Sequence, residues 1–355
     1  MPQWQGFMEY PTVRPSPLFE PEGGGRVRCS LCNRRCTISP GGVGVCRTRM
    51  NVDGVLYTLV YGDLSALESR PIEMKPFFHY WPGSRALTFS TWSCNLDCAW
   101  CQNHDLSKVK PEPVRGTYIS QEAVLRLATK LGNEGLCASF QEPTLLTDWV
   151  LPLFGMAKGM GLYCCYVSNG YMTREALRLL REAGMDGLKV DVKGSDEVYE
   201  RYCGGGDAGR VWRTVEEAKR LGIHVEVVNL MVTGVNDDEG SVGWLVDQHM
   251  KHAGAETPLH FNRYHPAYRF DRPPTEVKRL EAARLKAVRE GALYVYVGNV
   301  PGHRYENTFC PGCGRTLVLR SNCRIVEYNM TKDDRCPDCG RHVLMVGRYR
   351  GRGGG

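Results

Sequence analysis

Short apolar runs alternate with amphipathic stretches along the chain from residue 86 onward. Short apolar runs bounded by turn residues predict buried strands, and apolar positions that recur every three or four residues predict helices. The predicted strands are Ala86–Ser90, Leu136–Phe140, Leu162–Ser168, Gly187–Val192, Ile223–Val232, Pro258–Arg263 and Ala292–Val297. Helices are predicted between them, for example Gln121–Leu131, Arg174–Ala183, Val211–Leu221 and Thr275–Arg289.

Two polar residues mark helix starts within this pattern. Ser120 and Thr173 each stand next to the start of an apolar period, where a side-chain oxygen accepts a hydrogen bond from a free N–H of the first turn. Repeated β–α units favour parallel strands joined by right-handed crossovers. The pattern alone permits a complete (β/α)8 barrel or an open, doubly wound sheet.

Hydrogen-bonding residues follow the ends of the predicted strands. Because the carboxyl ends of barrel strands converge on one mouth, such residues belong to one site. In chain order these residues are the cysteines Cys94, Cys98 and Cys101, then Gln141-Glu142-Pro143, Ser168-Asn169-Gly170, Asp191 with Lys193, Arg263 with His265, and Asn299 with His303. The fifth predicted strand is the apparent gap in this series. This distribution predicts an α/β fold, a partial TIM-like (β/α) barrel of six to seven strands that is open on one side for a large substrate.

Changes in composition divide the chain into four parts. Residues 1–85 are predicted as an N-terminal arm, loosely held over residues 1–25, and a cysteine-rich segment, with one strand in VLYTLVYG before a proline-punctuated loop. Residues 86–300 form the barrel, and residues 301–345 a second cysteine-rich unit. Residues 346–355 contain YRGRGGG and are predicted as a disordered arginine- and glycine-rich tail.

The overall composition is that of an ordinary globular protein, with 42% hydrophobic and 24% charged residues. A formal charge of +6 is too mild to argue for nucleic acid. No uncharged apolar run reaches the roughly 18 residues that span a bilayer, and the N-terminus lacks the pattern of a signal peptide. We therefore expect a cytoplasmic protein that keeps its 16 cysteines reduced.

The most informative motif is Cys94-x3-Cys98-x2-Cys101. A zinc site requires four ligands, usually in two pairs. Three thiolates in one loop instead suit three irons of a [4Fe–4S] cube and leave the fourth iron open.

A second set, Cys29, Cys32, Cys36 and Cys46, supplies four thiolates within a short segment. Zinc would be held there as a closed tetrahedron, and a second [4Fe–4S] cluster would use the same four sulfurs. The spacing does not decide between the two. Zinc is slightly favoured, because no separate reaction demands a second redox centre.

The third set consists of the pairs Cys310/Cys313 and Cys336/Cys339, each followed by glycine. The stretches TLVLR and RIVEYN between the pairs predict two short strands. Paired cysteines at this spacing predict a zinc ribbon.

The three-cysteine signature, with Trp100 before its last cysteine, resembles the radical S-adenosylmethionine (SAM) superfamily. From Cys29 to Cys339 the chain also resembles the activating-enzyme branch typified by pyruvate formate-lyase activase, and more narrowly the radical SAM member of the AmmeMemoRadiSam system. The segments that carry this resemblance are CSLCNRRC…GVC, CNLDCAWCQN, QEPT, VSNGYMT, DVKG, HFNRYHPAY and YVGNVPGHRYENTFCPGCG.

The resemblance implies a [4Fe–4S] cluster on the cysteine triad, whose open iron binds SAM, and reductive cleavage of SAM to methionine and a 5′-deoxyadenosyl radical. The cofactor contacts that it implies are Trp100 beside the cluster, Glu142 at the SAM amino group, Ser168 and Asn169 at the ribose, and Asp191 and Lys193 near the carboxylate. The chain departs from the family pattern twice. The usual Gly-Gly-Glu is Phe140-Gln141-Glu142, and Val167 replaces an aspartate, which weakens the case for a monovalent cation beside SAM.

Four residues are candidates for catalysis. Lys193, Arg263 and His265 follow strand ends, and His260 matches a late-strand histidine of the activases.

The leading hypothesis is a radical SAM oxidoreductase that abstracts hydrogen from a protein or peptide, as a glycyl-radical-activating enzyme does. AMMECR-type and Memo-type proteins are implied partners, and ferredoxin or flavodoxin is the expected reductant. One alternative is a radical SAM enzyme that modifies RNA. Another is a cluster-bearing scaffold without catalysis, against which the intact triad, Glu142 and Lys193 count.

Overall fold

The structure, a computed structural model, describes residues 5–349 and 351. The strands of the described residues are β1 (Arg14–Pro15), β2 (Phe19–Pro21), β3 (Val27–Cys29), β4 (Thr37–Ile38), β5 (Arg49–Val52), β6 (Val55–Thr58), β7 (Ala66–Pro71), β8 (Arg85–Ser90), β9 (Gly135–Ala138), β10 (Tyr163–Ser168), β11 (Gly187–Asp191), β12 (His224–Met231), β13 (Leu259–Arg263), β14 (Val295–Gly298), β15 (Thr308–Phe309), β16 (Thr316–Ser321) and β17 (Arg324–Tyr328). The α-helices are α1 (His104–Ser107), α2 (Gln121–Lys130), α3 (Thr147–Gly159), α4 (Arg174–Glu182), α5 (Asp196–Tyr202), α6 (Ala208–Arg220), α7 (Glu239–His252) and α8 (Val277–Arg289). Short 3-10 helices lie at Gln5–Phe7, Gly23–Gly25, Ile72–Met74, Pro113–Arg115, Pro143–Leu146 and Arg304–Glu306.

The central sheet has eight strands in the order β14-β13-β12-β11-β10-β9-β8-β7. Strands β8 to β14 are parallel, and β7 pairs antiparallel with β8 at one edge. In the described residues β14 and β7 do not pair, so no barrel is closed. The predicted α/β fold with parallel strands is therefore confirmed, whereas of the predicted partial barrel the structure shows an open, mostly parallel sheet.

The predicted strands and helices lie close to the observed ones. Ser120 accepts a hydrogen bond from the N–H of Ala123 and Thr173 from that of Ala176, so both predicted caps are confirmed. Helix α6 begins three residues before its predicted start, where Asp207 caps it. Helices α1, α3, α5 and α7 are not among the helices named from the sequence. The edge strand β7 is not predicted, since its residues do not alternate between buried and exposed.

The two faces of the sheet are covered by different parts of the chain. Helices cover the outer face, where Cys164 and Tyr166 of β10 join the largest apolar cluster. The inner face, which carries Cys165, is covered by residues 72–81 from the segment before the first parallel strand. Phe78 of this segment packs in turn on the C-terminal unit, which contains the antiparallel sheet β15-β16-β17. Residues 72–81 thus fill the space that an open sheet leaves unpacked.

A buried carboxylate on β12 fastens this segment to the sheet. Oε1 of Glu226 accepts hydrogen bonds from the backbone N–H groups of Phe78 and His79, both at 2.8 Å, and faces Nε2 of His224 at 3.1 Å. Its Oε2 lies 2.7 Å from Nε2 of His260. Burial alone would raise the pKa of Glu226, but the two histidines outweigh it and lower that pKa. The side chain therefore remains an anionic acceptor.

Two predictions for the ends of the chain are wrong where the structure describes them. The N-terminal arm is not loose, because Val13 and Leu18 are buried and β1 pairs with β6. The tail is ordered up to Tyr349, which stacks on Tyr328, and the N–H of Trp81 donates to the carbonyl of Val346. The remaining predicted tail residues, 350 and 352–355, lie outside the described residues.

Among the described residues, none of the helices combines the length and the apolar character that crossing a bilayer requires.

We expect Glu226→Gln to destabilise the protein strongly. The NH2 group of the glutamine would face hydrogen-bond donors that face a carboxylate oxygen of Glu226 in the wild type. Breaking a buried charged network typically costs about 3–5 kcal/mol, which urea unfolding would report as a lower midpoint at an unchanged slope.

The matched control is Glu216→Gln, which removes an exposed pair with His252 at 2.6 Å. Exposed pairs contribute at most about 1 kcal/mol. Equal midpoints for the two variants would contradict the role assigned to Glu226.

Candidate functional site

A cavity of about 320 Å³ lies where the parallel strands end. We call it the strand-end cavity. It contains the end of the cysteine loop after β8 and polar residues from the successive strands, and residues 74–76 of the inner segment close one side. Its polar and cysteine lining includes Lys75, Cys94, Cys98, Cys101, Asn103, Gln141, Glu142, Asn169, Lys189, Asp191, Lys193, Asn262 and Asn299.

The cysteine loop turns sharply into the cavity. Ser93, just before the first cysteine, has a φ of 71°, a left-handed conformation that is uncommon outside glycine. The N–H of Leu96 points at the Cys94 sulfur at 3.4 Å, and the Cys101 sulfur lies 3.1 Å from Oγ of Ser107. Hydrogen bonds of this kind to the sulfurs tune bound iron–sulfur clusters.

Two residues behind the loop support it. Trp100 is buried and packs against the rings of Tyr202 and Phe270, which fixes the backbone between the last two cysteines. The thiol of Cys203 hydrogen-bonds the sulfur of Cys98 and lowers the pKa of Cys98 to about 7. Cys203 belongs to none of the three cysteine sets of the sequence, and its proximity to Cys98 arises only from the fold.

Glu142 connects the ends of two neighbouring strands. Its Oε1 accepts hydrogen bonds from the N–H of Thr144 at 3.0 Å and from Oγ of Ser168 at 2.8 Å, and its Oε2 accepts from the N–H of Asn169 at 2.8 Å. Burial nevertheless raises the pKa of Glu142. Oε1 accepts more hydrogen bonds than Oε2, so Oε2 is the oxygen with more room for a cationic ligand group.

Asp191 lies between two lysines at the end of β11. Nζ of Lys189 is 2.6 Å from Oδ1 of Asp191, and Nζ of Lys193 is 3.8 Å from Oδ2. Burial would raise the pKa of Asp191, but the two lysines outweigh it and lower that pKa. Burial would likewise lower the pKa of Lys193, and Asp191 with Cys98 raises it instead. Lys193 is therefore cationic in the cavity wall.

Two amide side chains in the cavity lack partners among the described residues. Gln141 is 7% exposed, yet neither Oε1 nor Nε2 makes a hydrogen bond, and Oδ1 of Asn262 is buried without one. Buried polar groups are almost always hydrogen-bonded. The cavity thus matches a ligand that offers both donors and acceptors. The sequence pattern placed Gln141 at the strand ends without assigning it a ligand contact. It missed Asn262, Lys75 and Lys189, because the order of strand ends does not identify residues of the cavity wall.

Several predicted site residues lie away from the cavity lining. Ser168 sits behind Glu142, and His260 is 1% exposed against Glu226, so both are structural supports. Nε of Arg263 donates to the carbonyl of Thr275 at 2.8 Å, and His265 is exposed. Of the four catalytic candidates, the structure places Lys193 in the cavity.

The remaining cysteines form two sets, as their spacing predicts. Cys310, Cys313, Cys336 and Cys339 place their sulfurs within 4.8 Å of one another, so they can bind a single metal ion. Cys29, Cys32, Cys36 and Cys46 line one small cavity beside the cysteine loop.

The chain is similar to several known proteins. Residues 90–242 match the profile of the Radical SAM superfamily. The chain is 35% identical over 337 residues to the uncharacterized protein MJ0808 of Methanocaldococcus jannaschii, which covers 94% of this chain and 100% of that protein. It is 29% identical to a probable GTP 3′,8-cyclase of Pyrobaculum aerophilum over 43% of this chain and 49% of the cyclase, so it spans about half of that relative.

A crystal structure of Streptococcus suis SuiB bound to S-adenosylmethionine is similar, with a TM-score of 0.47, over 59% of this chain and 50% of SuiB at 12% identity. The profile match contains the cysteine triad, Glu142 and Lys193, which line the strand-end cavity together. The chain belongs to the radical SAM superfamily.

Proposed function

We propose that this chain cleaves SAM reductively at a [4Fe–4S] cluster and abstracts a hydrogen atom from a protein or peptide. The observation that carries the proposal is the convergence of the cysteine triad, the unpartnered Gln141 amide and the Asp191–Lys193 pair on the strand-end cavity. When bound, the cluster and SAM supply a one-electron cleavage that yields methionine and a 5′-deoxyadenosyl radical.

The donor set suits both groups. Cys94, Cys98 and Cys101 offer three thiolates, which leaves one iron for a ligand other than protein. The amino acid end of SAM carries an ammonium and a carboxylate. We assign the ammonium to Oε2 of Glu142 and the carboxylate to Nζ of Lys193, since both side chains line the strand-end cavity.

The remaining lining positions the nucleoside and excludes water. Asn169 and Gln141 offer amide groups to ribose hydroxyls or to the adenine edge. Val167, Val228 and Leu230 add apolar surface to the same cavity. A valine at position 167 offers no carboxylate to a bound monovalent cation, as the sequence indicated.

The rim next to the cysteine loop supports a protein or peptide substrate. His104 stacks on Tyr268 with ring centroids 5.2 Å apart, and the guanidinium of Arg269 lies 4.6 Å from the Tyr268 ring centroid. Tyr268 is 40% exposed. Tyrosine and arginine are enriched in protein interfaces. AMMECR-type and Memo-type proteins are the partners that the AmmeMemoRadiSam resemblance suggests, and a glycyl radical is one product that the activase resemblance allows.

We propose zinc as the metal of the C-terminal set. Four cysteine sulfurs this close suit a tetrahedral site with metal–sulfur distances of about 2.3 Å. The N–H of Gly312 donates to the Cys310 sulfur at 3.4 Å. The unit also holds the inner segment, because Arg320 donates to the carbonyl of Phe78 at 2.9 Å.

The proposed reaction is testable by hydrogen transfer. The anaerobically reconstituted protein is incubated with SAM, dithionite and a lysate of cells grown in deuterated medium. We expect 5′-deoxyadenosine that carries deuterium, detected by mass spectrometry, and we expect protease treatment of the lysate to abolish the label. Cys98→Ala should form no 5′-deoxyadenosine, whereas Cys323→Ala, which removes a thiol outside the three sets, should behave as wild type.

Loss of the label after ribonuclease treatment would favour the RNA alternative. A label that survives both treatments would point to a small molecule and contradict the proposed substrate class. Absence of 5′-deoxyadenosine from wild-type protein with an intact cluster would favour the scaffold alternative.

Gln141→Ala should weaken SAM binding without destabilising the fold. The side chain gives up no hydrogen bond within the described protein, and the loss of contacts to SAM should raise the dissociation constant about tenfold, which corresponds to about 1.4 kcal/mol. Equilibrium binding to the reconstituted protein would measure this. The control is Gln248→Ala on α7, where the amide hydrogen-bonds His252 outside the cavity. Equal SAM affinities for the two variants would contradict the role assigned to Gln141.

Replacing two cysteines of the C-terminal set, Cys310→Ser with Cys313→Ser, should remove about one zinc per chain, since half of the tetrahedral ligand set is lost. Metal analysis by mass spectrometry measures it. The thermal midpoint should also fall, because Arg320 then holds the inner segment less firmly. Unchanged zinc content would show that another set binds the metal.

A further inference from the structure

We propose that Lys75 binds a carboxylate of the substrate, so that the strand-end cavity selects peptides by an acidic group, which is either an Asp or Glu side chain or the C-terminal carboxylate. That the bound molecule is the substrate rests on the proposed function, whereas the anion site itself follows from the surroundings of Lys75.

Lys75 is a buried cation without a counter-ion in the described part of the chain. It is 6% exposed and lines the strand-end cavity. Among the described residues its Nζ makes neither an ion pair nor a hydrogen bond, and it lies 3.8 Å from the centroid of the Phe140 ring. Burial is the main effect on this amine and lowers the pKa of Lys75. Because lysines are almost never buried this far unless they are paired, the site lacks an anion that a ligand would supply.

The charges of the cavity leave one cation unmatched. Nζ of Lys189 lies 2.6 Å from Oδ1 of Asp191, and Nζ of Lys193 lies 3.8 Å from Oδ2. Glu142 accepts its hydrogen bonds from uncharged groups. Apart from the cysteine triad, the lining thus holds three lysines and two carboxylates. A ligand group with a single negative charge balances them, which fits a carboxylate better than a phosphate group with nearly two charges.

Lys75 lies away from the groups assigned to the cluster and to SAM. A hydrogen bond from the Cys203 thiol is the main cause that lowers the pKa of Cys98, and the amines of Lys193 and Lys108 lower it further. Apart from burial, the titratable groups that act most on the pKa of Lys75 lie instead on β7, β9 and β11. SAM carries one carboxylate, which the proposed function assigns to Lys193. Lys75 is therefore left for an anionic group of the substrate.

Phe140, on which the Lys75 amine lies, has an unusual backbone conformation. Its φ is 73°, a left-handed value that is rare for a large side chain. Nδ2 of Asn103 donates to the Phe140 carbonyl and ties this turn to the cysteine loop. The family pattern has glycine at this position, which adopts such a φ without strain. Strained residues of this kind cluster at ligand-binding sites, and the ring holds the amine by a cation–π contact. The pair of Lys75 and Phe140 is thus separate from the SAM contacts that the family resemblance implies.

The segment that carries Lys75 is firmly supported. Glu226 fastens residues 72–81 to the inner face of the sheet. Met74 and Pro76, on either side of Lys75, line the same cavity. A carboxylate would therefore meet the amine among apolar atoms, where electrostatic attraction is stronger than in water.

Peptide binding tests the site without the radical reaction. The anaerobically reconstituted protein is loaded with SAM, left unreduced and mixed with pools of short, random, N-acetylated peptides. One pool has a free C-terminus and no acidic residues, a second has an amidated C-terminus with Asp and Glu, and a third has neither kind of carboxylate. Mass spectrometry measures the retained peptides. We expect wild-type protein to retain a carboxylate-bearing pool at least about tenfold better than the neutral pool, and Lys75→Met to lose this preference.

The pools also identify the source of the carboxylate. Retention of the first pool assigns the C-terminal group and retention of the second assigns an acidic side chain, and either result supports the proposal. Equal retention of all pools by wild-type protein would overturn it, as would an unchanged preference in Lys75→Met.

The matched control is Lys158→Met, which removes an amine that pairs with Asp186 at 2.8 Å outside the cavity. It should keep the wild-type preference. Lys75→Met should keep the wild-type thermal midpoint and SAM affinity, because the removed charge has no partner among the described residues. A lower midpoint would make Lys75 a structural cation, and an about tenfold weaker SAM affinity would make it a SAM contact. Either result would overturn the proposal.

Further outcomes separate this site from the proposed function. Carboxylate-selective binding by wild-type protein that transfers no deuterium from the labelled lysate would support the anion site and contradict hydrogen abstraction. Deuterium transfer at an equal rate from a lysate whose carboxyl groups have been methyl-esterified would support hydrogen abstraction and overturn the role of Lys75.

Discussion

An open parallel sheet leaves its inner face to be covered, and the buried carboxylate of Glu226 determines what covers it. Its oxygens accept from the backbone of Phe78 and His79 and bond two histidines on the sheet. A backbone segment cannot lie in an apolar interior without such partners, because each unsatisfied N–H costs free energy. This carboxylate therefore allows residues 72–81 to occupy the inner face, and their start, at Met74 and Lys75, becomes a wall of the strand-end cavity.

Spacing and geometry report different properties of the three cysteine sets. Spacing correctly groups eleven of the sixteen cysteines, because cysteines that share a metal often come from short loops. It does not distinguish one ion from a cluster, since the same thiolates serve both. That distinction depends on how far apart the loops hold the sulfurs. For the C-terminal set, the long connection between Cys313 and Cys336 brings the two pairs together at one point, which only the folded backbone makes visible.

The sequence predicted most of the sheet and part of the site, for related reasons. Parallel strands are near-continuous apolar runs, so their ends are easy to locate, and Glu142, Asn169, Asp191 and Lys193 were found there. Lys189 lies within such a run, and Lys75 belongs to a segment far from the strand ends along the chain. Conversely, histidine is a residue type that is common in functional sites, but His260 lies deeper in the inner face, beside Glu226.

The site depends on one continuous network of hydrogen bonds between the strand ends and the cysteine loop. Oε2 of Glu142 accepts from the N–H of Asn169, and the Asn169 side chain donates to Oδ1 of Asn95 at 2.8 Å. Asn95 follows Cys94, so the position of the first thiolate is coupled to the strand that carries Ser168. Burial makes each of these bonds costly to break. Besides the SAM contact proposed for it, Glu142 thus helps to hold the loop that carries the cysteine triad.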